Sequence, residues 1–486
     1  MTLDDVVTLY RKQLPPGELQ TFRIDPNDHL GIPVVDATFI PDHHHRRYNG
    51  VGYGATETQA QIGAFGELHE FMSVAEAFAA APKQQASYRE LSQTHSVIDP
   101  LTLVLPAGSA YTEDRMLNWT PVKRLSDDAE FWVPVEFVAN VNADAAYPNQ
   151  LTTAITNGCG AGDTRNRAIL HGLLELLQRD GNCDSFRALD RGQVLDQSGF
   201  EPRTQALIQQ LAGRGLDVLP KLARVTCGCV SVYVVGRDRS DETFPLCVTA
   251  CGEAADPDFN KAIYKAVLEC AASHSRKLFY HSSFERKGRI APPGYVDTNR
   301  SLINLDQEEP RALRAMVNWL DQDRETLYSH LKDTVFSEQT VVDPATLPSY
   351  AYDSIDAGLT YVMDQLQQQN LEAYYFAATP ADGLVQVTKV IVPGIEMELG
   401  SYHRLGYRGA QRLLARNDTL ISREAGPGKA RVRLTTQHED MLDGPVWLDT
   451  TALDARIDPV YPLYREPSGH SAAYAYETHY FKAALA

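Results

Sequence analysis

Between Thr156 and Arg187 a glycine-rich turn runs straight into a helix, TNGCGAGDTRNRAILHGLLELLQRDGNCDSFR. Asn157, Gly158, Gly160 and Gly162 give a backbone that turns tightly and lets a ligand come close, because glycine tolerates positive φ and has no Cβ. Asp163 and Thr164 stand where a helix cap belongs. Ile169, Gly172, Leu173, Leu176 and Leu177 keep the spacing of an apolar stripe, while His171, Glu175, Gln178 and Arg179 share the opposite side. The pattern predicts a packed helix whose polar, partly ionic face follows a loop rich in free backbone N–H groups.

The same design stands upstream, in GVGYGATETQAQIGAFGELHEFMSVAEAF. Ala60, Gly63, Glu67 and Glu70 fall on one side of that helix, with Ala64, Leu68 and Phe71 beside them on the face expected to pack. Glutamate is rarely buried without a cation, metal or hydrogen-bond partner, so two carboxylates at the border of an apolar face imply one. A surface helix with ordinary acidic residues is the other reading. A third helix, FNKAIYKAVLECAASHSRKLFYH, carries Glu269 and Arg276 two turns apart, again either a site or a solvated face.

The 486 residues call for one large or two fused domains, and 43% apolar with 22% charged residues is ordinary for a globular chain. A net charge of −18 argues against nucleic acid and against an anionic membrane surface as partners. The acidic start, MTLDDVVTLYRKQLPPGELQ, is neither signal peptide nor anchor, and no run reaches the ~18 apolar residues of a spanning helix. A cytoplasmic protein is the expectation. Seven cysteines fit that compartment; Cys227 and Cys229, in a strand-like stretch without zinc spacing, read with the others as buried free thiols.

Along the chain, residues 1–47 read as a lead segment, 48–415 as the main domain and 416–486 as a C-terminal extension. The lead holds a helix, then the strand-like IPVVDATFI. His43, His44 and His45 with Arg46 and Arg47 make a basic spot, read as a solvated loop or as part of a phosphate pocket. LTLVLP and EFWVPVEFVANV look like short strands, with Trp119 and Trp132 as core anchors. LDVLPKLARV and CVSVYVVGRD look like successive strands, 300–345 like a peripheral polar helical region, and LVQVTKVIVPGIE like a buried strand before a last domain helix. Neither GxxxxGK[ST] nor GxGxxG occurs, so no P-loop or Rossmann fold is expected, although acids and an arginine beside glycine turns suit a polyphosphate with Mg²⁺.

GYGATETQAQIGAFGELHE, TNGCGAGDTRNRAILHGLLELLQRD, the helix bearing Glu269, and VTKVIVPGIE, in this order, resemble the YcaO family over roughly residues 48 to 415. The resemblance implies a mixed α/β (α+β) fold of its own kind, with acids from several helices gathered around ATP and Mg²⁺. It implies an enzyme that activates peptide backbone amides by phosphorylating the amide oxygen, giving azolines from Cys, Ser or Thr, thioamides or amidines. Glu67, Glu70 and Glu175 match metal-holding positions; Gln178, Arg179, Glu269 and Arg276 complete the implied ATP-binding set. Arg167 and Gln178 stand where carboxylates are common, which leaves a second reading, a degenerate scaffold that binds a peptide or partner. The terminal Lys-Ala-Ala-Leu-Ala lacks the proline-rich ending of many azoline-forming members and favours other amide modifications. A precursor peptide, a separate leader-peptide-binding or sulfur-delivery protein and a homodimer are implied partners.

Overall fold

Three glycine-bearing strands, each the outermost strand of a different sheet, feed the three longest helices among the described residues. The computed structural model describes residues 2–44, 46–145, 147, 150–184, 189–240, 244–380, 383–397 and 403–483; His45 and residues 185–187 of the glycine-turn stretch lie outside them. Helix α1 (Leu3–Gln13) precedes a sheet of β1 (Gly17–Arg23), β2 (Val34–Pro41) and β3 (Tyr48–Tyr53), and β3 runs into α2 (Glu57–Ala80). The second sheet has the order β4 (Gln84–Ser87), β5 (Met116–Arg124), β13 (Tyr374–Ala377), β14 (Gln386–Ile391), β7 (Cys159–Gly162), with β6 (Glu130–Pro134) on β5. Its edge strand β7 leads into α3 (Arg165–Asn182). The third has the order β11 (Thr249–Asp256), β10 (Cys229–Asp238), β9 (Leu216–Thr226), β8 (Gln193–Leu195), β12 (Thr340–Val342), and β11 leads into α4 (Phe259–His281). Among the described strands only β8 and β12 pair in parallel, so the architecture is mixed and not doubly wound.

Each edge strand lies directly on the backbone of the helix it feeds. A Cβ added to Gly52 would stand 2.0 Å from the Ala60 carbonyl oxygen, one on Gly160 2.0 Å from that of Ala168, and one on Gly252 2.1 Å from that of Ala266. Only glycine permits that approach. The first two units are one motif written twice, Asn49-Gly50-x-Gly52-x-Gly54-x-Thr56 and Asn157-Gly158-x-Gly160-x-Gly162-x-Thr164. Thr56 and Thr164 cap α2 and α3 by accepting from the Gln59 and Arg167 N–H groups, and Asp258 caps α4. The units close into a ring: α2 touches β3 and β7, α3 touches β7 and β11, and α4 touches β11 and β3.

Burial follows the apolar pattern. Ile169, Gly172, Leu173, Leu176 and Leu177 of α3 are all buried, as are Trp119 and Trp132, whose sheet covers α2. All seven cysteines are free thiols, six of them buried. Cys227 and Gly228, both at positive φ, form the two-residue turn between β9 and β10. Two expectations differ. LTLVLP buries Leu103, Val104 and Leu105 but opens as a 3-10 turn, because Asp99 caps it and Pro100 starts it. Within 300–345, α5 (Pro310–Leu320) buries Leu313, Met316 and Trp319, so an amphipathic face with its own core was hidden by the polar average. No described helix is long and apolar enough to cross a membrane.

A buried ionic lock ties the lead segment to α4. His274 sits between two carboxylates, Nδ1 at 3.0 Å from Asp28 and Nε2 at 3.1 Å from Asp238, while Ser275 donates to Asp28 at 2.5 Å. Burial by itself would lower the imidazole pKa, but Asp28 and Asp238 outweigh it and hold His274 at about 9. A raised histidine stabilises fully below its unfolded value of 6.5, and that contribution is lost as pH rises through 9. Urea unfolding should show wild-type stability falling across this window. His274→Ala should cost on the order of 3 kcal/mol at pH near 6 and flatten the slope; a variant with the wild-type slope would assign the pH dependence elsewhere.

Candidate functional site

The ring turns one face of each long helix toward a common interior. Glu67 and Glu70 of α2 lie near Glu175 of α3, and Arg276 of α4 contributes its field to Glu67 from the third side. The Val51 N–H donates to Glu67 Oε2 at 2.5 Å, and the Gly158 N–H donates to Glu175 Oε2 at 2.9 Å. The glycine turns therefore hold carboxylates by their backbone N–H groups. The other Glu175 oxygen is 3.6 Å from Arg179 Nη2, and Arg179 Nη1 is 3.4 Å from Glu253 on β11. Glu269 accepts from the Tyr53 hydroxyl at 2.9 Å. Arg276, its side chain 45% exposed, lies 3.9 Å from Glu466.

Of the residues read from sequence, Glu67, Glu70, Glu175, Arg179, Glu269 and Arg276 come together in this way. Gln178 differs from its expected place on the open polar side: it is only 5% exposed, because α3 is covered by β7, β10 and β11 around much of its circumference. By the repeated motif it is the counterpart of Glu70, ten positions after Ala168 as Glu70 is after Ala60. Arg167 lies two turns before Glu175 and is held by Asp163 at 2.6 Å. Sequence reasoning gave no site role to four contributors. Tyr53 was visible as the middle of Gly-Tyr-Gly, and Glu253 as an acid in the middle of a strand of small residues that ends in Asp256. His171, 4.0 Å from Glu70, and Lys265, whose charge reaches both, are neighbours only through the ring. In the basic spot, His43 and His44 stand 3.3 and 3.5 Å from Glu76 with His43 exposed, in keeping with a solvated loop.

The site demands positive charge. Burial first, with Glu175 and Asp36 adding to it, pushes Glu67 up to about 7 despite the Val51 N–H and Arg276. Burial, Glu175 and Glu67 push Glu70 well above the carboxylate range. Carboxylate oxygens under mutual repulsion fit a hard divalent cation. They are not a closed chelate, however. Among the described residues the trio with ligand atoms within 4.8 Å of one another is His43, His44 and Glu76, while Glu67 and Glu175 are drawn toward backbone N–H groups.

The family described as YcaO cyclodehydratase, ATP- and Mg²⁺-binding, matches residues 51–396. The chain belongs to the YcaO family. An uncharacterized protein of Methanothermobacter thermautotrophicus is 25% identical over 383 residues, 78% of this chain and 90% of its own length. The structure of YcaO from Methanopyrus kandleri bound with AMPPCP and Mg²⁺ has a TM-score of 0.57 at 18% identity, covering 84% of this chain and 94% of that one. A heterocyclase in complex with substrate and cofactor has a TM-score of 0.60 at 19% identity, covering 82% of this chain; the chain spans about half, 52%, of its length. These structures share the YcaO fold of mixed sheets and packed helices.

The raised Glu67 makes a measurable demand on stability. The unfolded chain releases this proton near 4.5 and the fold retains it to about 7, so wild-type stability falls as pH rises through that window. Without metal or nucleotide, Glu67→Gln should unfold at higher urea above pH 7 by about 1–2 kcal/mol and match wild type below pH 4.5. A variant less stable throughout would show that the carboxylate is already neutralised.

Proposed function

We propose that this YcaO protein uses ATP with Mg²⁺ to modify backbone amides of a ribosomally made peptide, giving an azoline, thioamide or amidine. The observation that carries the reading is the convergence of Glu67, Glu70 and Glu175, delivered by two copies of one motif, with Arg179 and Arg276 at their side. Glu67, Glu70 and Glu175 would hold the cation, whose charge would offset the burial and mutual repulsion that raise Glu67 and Glu70. Arg179 and Arg276 would meet phosphate oxygens, with Glu269 and Tyr53 shaping the wall between them. When bound, ATP with Mg²⁺ supplies the phosphoryl group that makes an amide oxygen a leaving group. Arg179 is pre-positioned for that role, since Glu175 and Glu253 grip its two terminal nitrogens. The resemblance also supports a precursor peptide, a separate leader-peptide-binding or sulfur-delivery protein, and a homodimer.

A second reading, a degenerate YcaO scaffold, is favoured by one feature. Gln178 replaces the counterpart of Glu70 and Arg167 adds a cation to the same helix, which together reduce the negative charge offered to a metal.

Calorimetry with AMPPCP and Mg²⁺ separates the two. The enzyme reading expects micromolar binding, weakened more than tenfold in Glu70→Ala and in Glu175→Ala. Gln178→Glu should strengthen the Mg²⁺ dependence several-fold by adding a carboxylate. With peptide and partner, ADP or AMP and phosphate should appear. A wild-type protein that binds no nucleotide leaves the scaffold reading.

A further inference from the structure

Beyond the C-terminal end of α3, a cavity of about 270 Å³ opens between β9, β10 and the last turn of α6 (Tyr407–Ala415). Its lining is cationic in a chain whose net charge is −18. Five cations, Arg191, Lys221, Arg224, Arg412 and Arg416, face two carboxylates, Asp184 and Asp190. Lys221, with its side chain 2% exposed, is 2.8 Å from Asp190. Asp184 is shared three ways, at 2.9 Å from Arg224, 3.2 Å from Arg416 and 3.7 Å from Arg412. Behind the lining, Asp180 takes Arg408 and Arg224, and Glu396 takes Arg412.

Six cations therefore meet five carboxylates among the described residues, counting Glu338, whose charge reaches Lys221, an excess of one positive charge. The surplus can be located. Arg191 donates to the neutral Gln193 and pairs with no described carboxylate, and the Arg416 Nε is buried without an acceptor. Arg191 lies below the usual guanidinium value, through burial first and then Arg416 and Arg224, with Asp184 and Asp190 opposing. Guanidinium forks match carboxylate and phosphate oxygens alike.

The cavity also shares a sheet face with the acid cluster. Lys221, Tyr233 and Glu253 are directly opposite one another on β9, β10 and β11, and residues paired in this way project to one side. Tyr233 lines the cavity and Glu253 grips Arg179. Two strand spacings separate Lys221 from Glu253, roughly 10 Å.

We propose that this cavity is an oxyanion site that takes a carboxylate side chain of the peptide on which the YcaO site acts. The anion site stands on the charges and the cavity; naming its ligand a peptide carboxylate rests on the peptide-modifying reading. Free phosphate shares the chemistry and is the competing source.

Calorimetry on the full chain tests it with three probes: inorganic phosphate, the acetylated and amidated peptide Gly-Glu-Asp-Gly, and its neutral analogue Gly-Gln-Asn-Gly. The acidic peptide should bind at millimolar concentration or better, the neutral one should not, and phosphate should compete. Arg191→Gln and Arg416→Gln should each weaken acidic-peptide binding about tenfold while AMPPCP with Mg²⁺ titrates as in wild type. Arg191 is exposed and has one neutral partner, so its variant keeps the fold. Glu70→Ala should leave peptide binding intact, and acidic-peptide binding in a protein that takes no nucleotide would sink the proposed activity but not the anion site. Failure of every anion to bind, or unchanged binding in both arginine variants, overturns the site. Binding of phosphate without the acidic peptide overturns the peptide assignment.

Discussion

Contact between an edge strand and the backbone of the helix it feeds sets the geometry from which the rest follows. At Gly52, Gly160 and Gly252 the strand has no side chain to hold the helix away, so each helix can sit in only one rotational setting. That setting sends the apolar stripe of α3 into the core and turns Glu175 and Arg179 inward. A methyl group at any of the three glycines would meet a carbonyl oxygen at about 2 Å and push the helix outward. The acids would then separate, and the ring would lose its interior.

Gathering acids in that interior has a cost, and the fold offsets only part of it. Backbone N–H groups from the glycine turns hold Glu67 and Glu175, and Arg179 is pinned between Glu175 and Glu253. The remaining cost, burial first and repulsion second, appears in the raised Glu67 and Glu70. It is tolerable because stability comes from elsewhere, including the His274 lock and the apolar cores under the sheets, one of them shared by the first two. A site that is least comfortable when empty is the one that gains most from a cation.

Much of this was legible in the chain. The glycine turns, the caps at Thr56 and Thr164, the stripe on α3 and the strands flanking Cys227 follow from local rules that the structure obeys. So did the pairing of Glu67 and Glu70 with Glu175, through resemblance of the motifs. What stayed hidden depends on closure of the ring. Tyr53 reaches Glu269 across more than two hundred residues, and Glu253 meets Arg179 from a third sheet. Gln178 looked exposed because helical periodicity defines two faces, while α3 is covered by two sheets at once. The buried Glu396 of VTKVIVPGIE was invisible for the same reason: it accepts from the Gly406 N–H and pairs with Arg412.

The repeated motif also explains how a near-symmetric scaffold makes an asymmetric site. Ten positions after the helix alanine that meets the strand glycine stand Glu70, Gln178 and Arg276, one in each unit. An acid, an amide and a cation thus occupy equivalent places around one interior. A metal–triphosphate needs that inequality, since its cation wants carboxylates on one side and its phosphates want guanidinium groups on the other. Three identical acids would repel such a ligand's anionic half, and three arginines would exclude its metal. Gln178, the neutral member of the three and buried on α3, adds nothing to the repulsion that Glu175 and Asp36 already exert on Glu67.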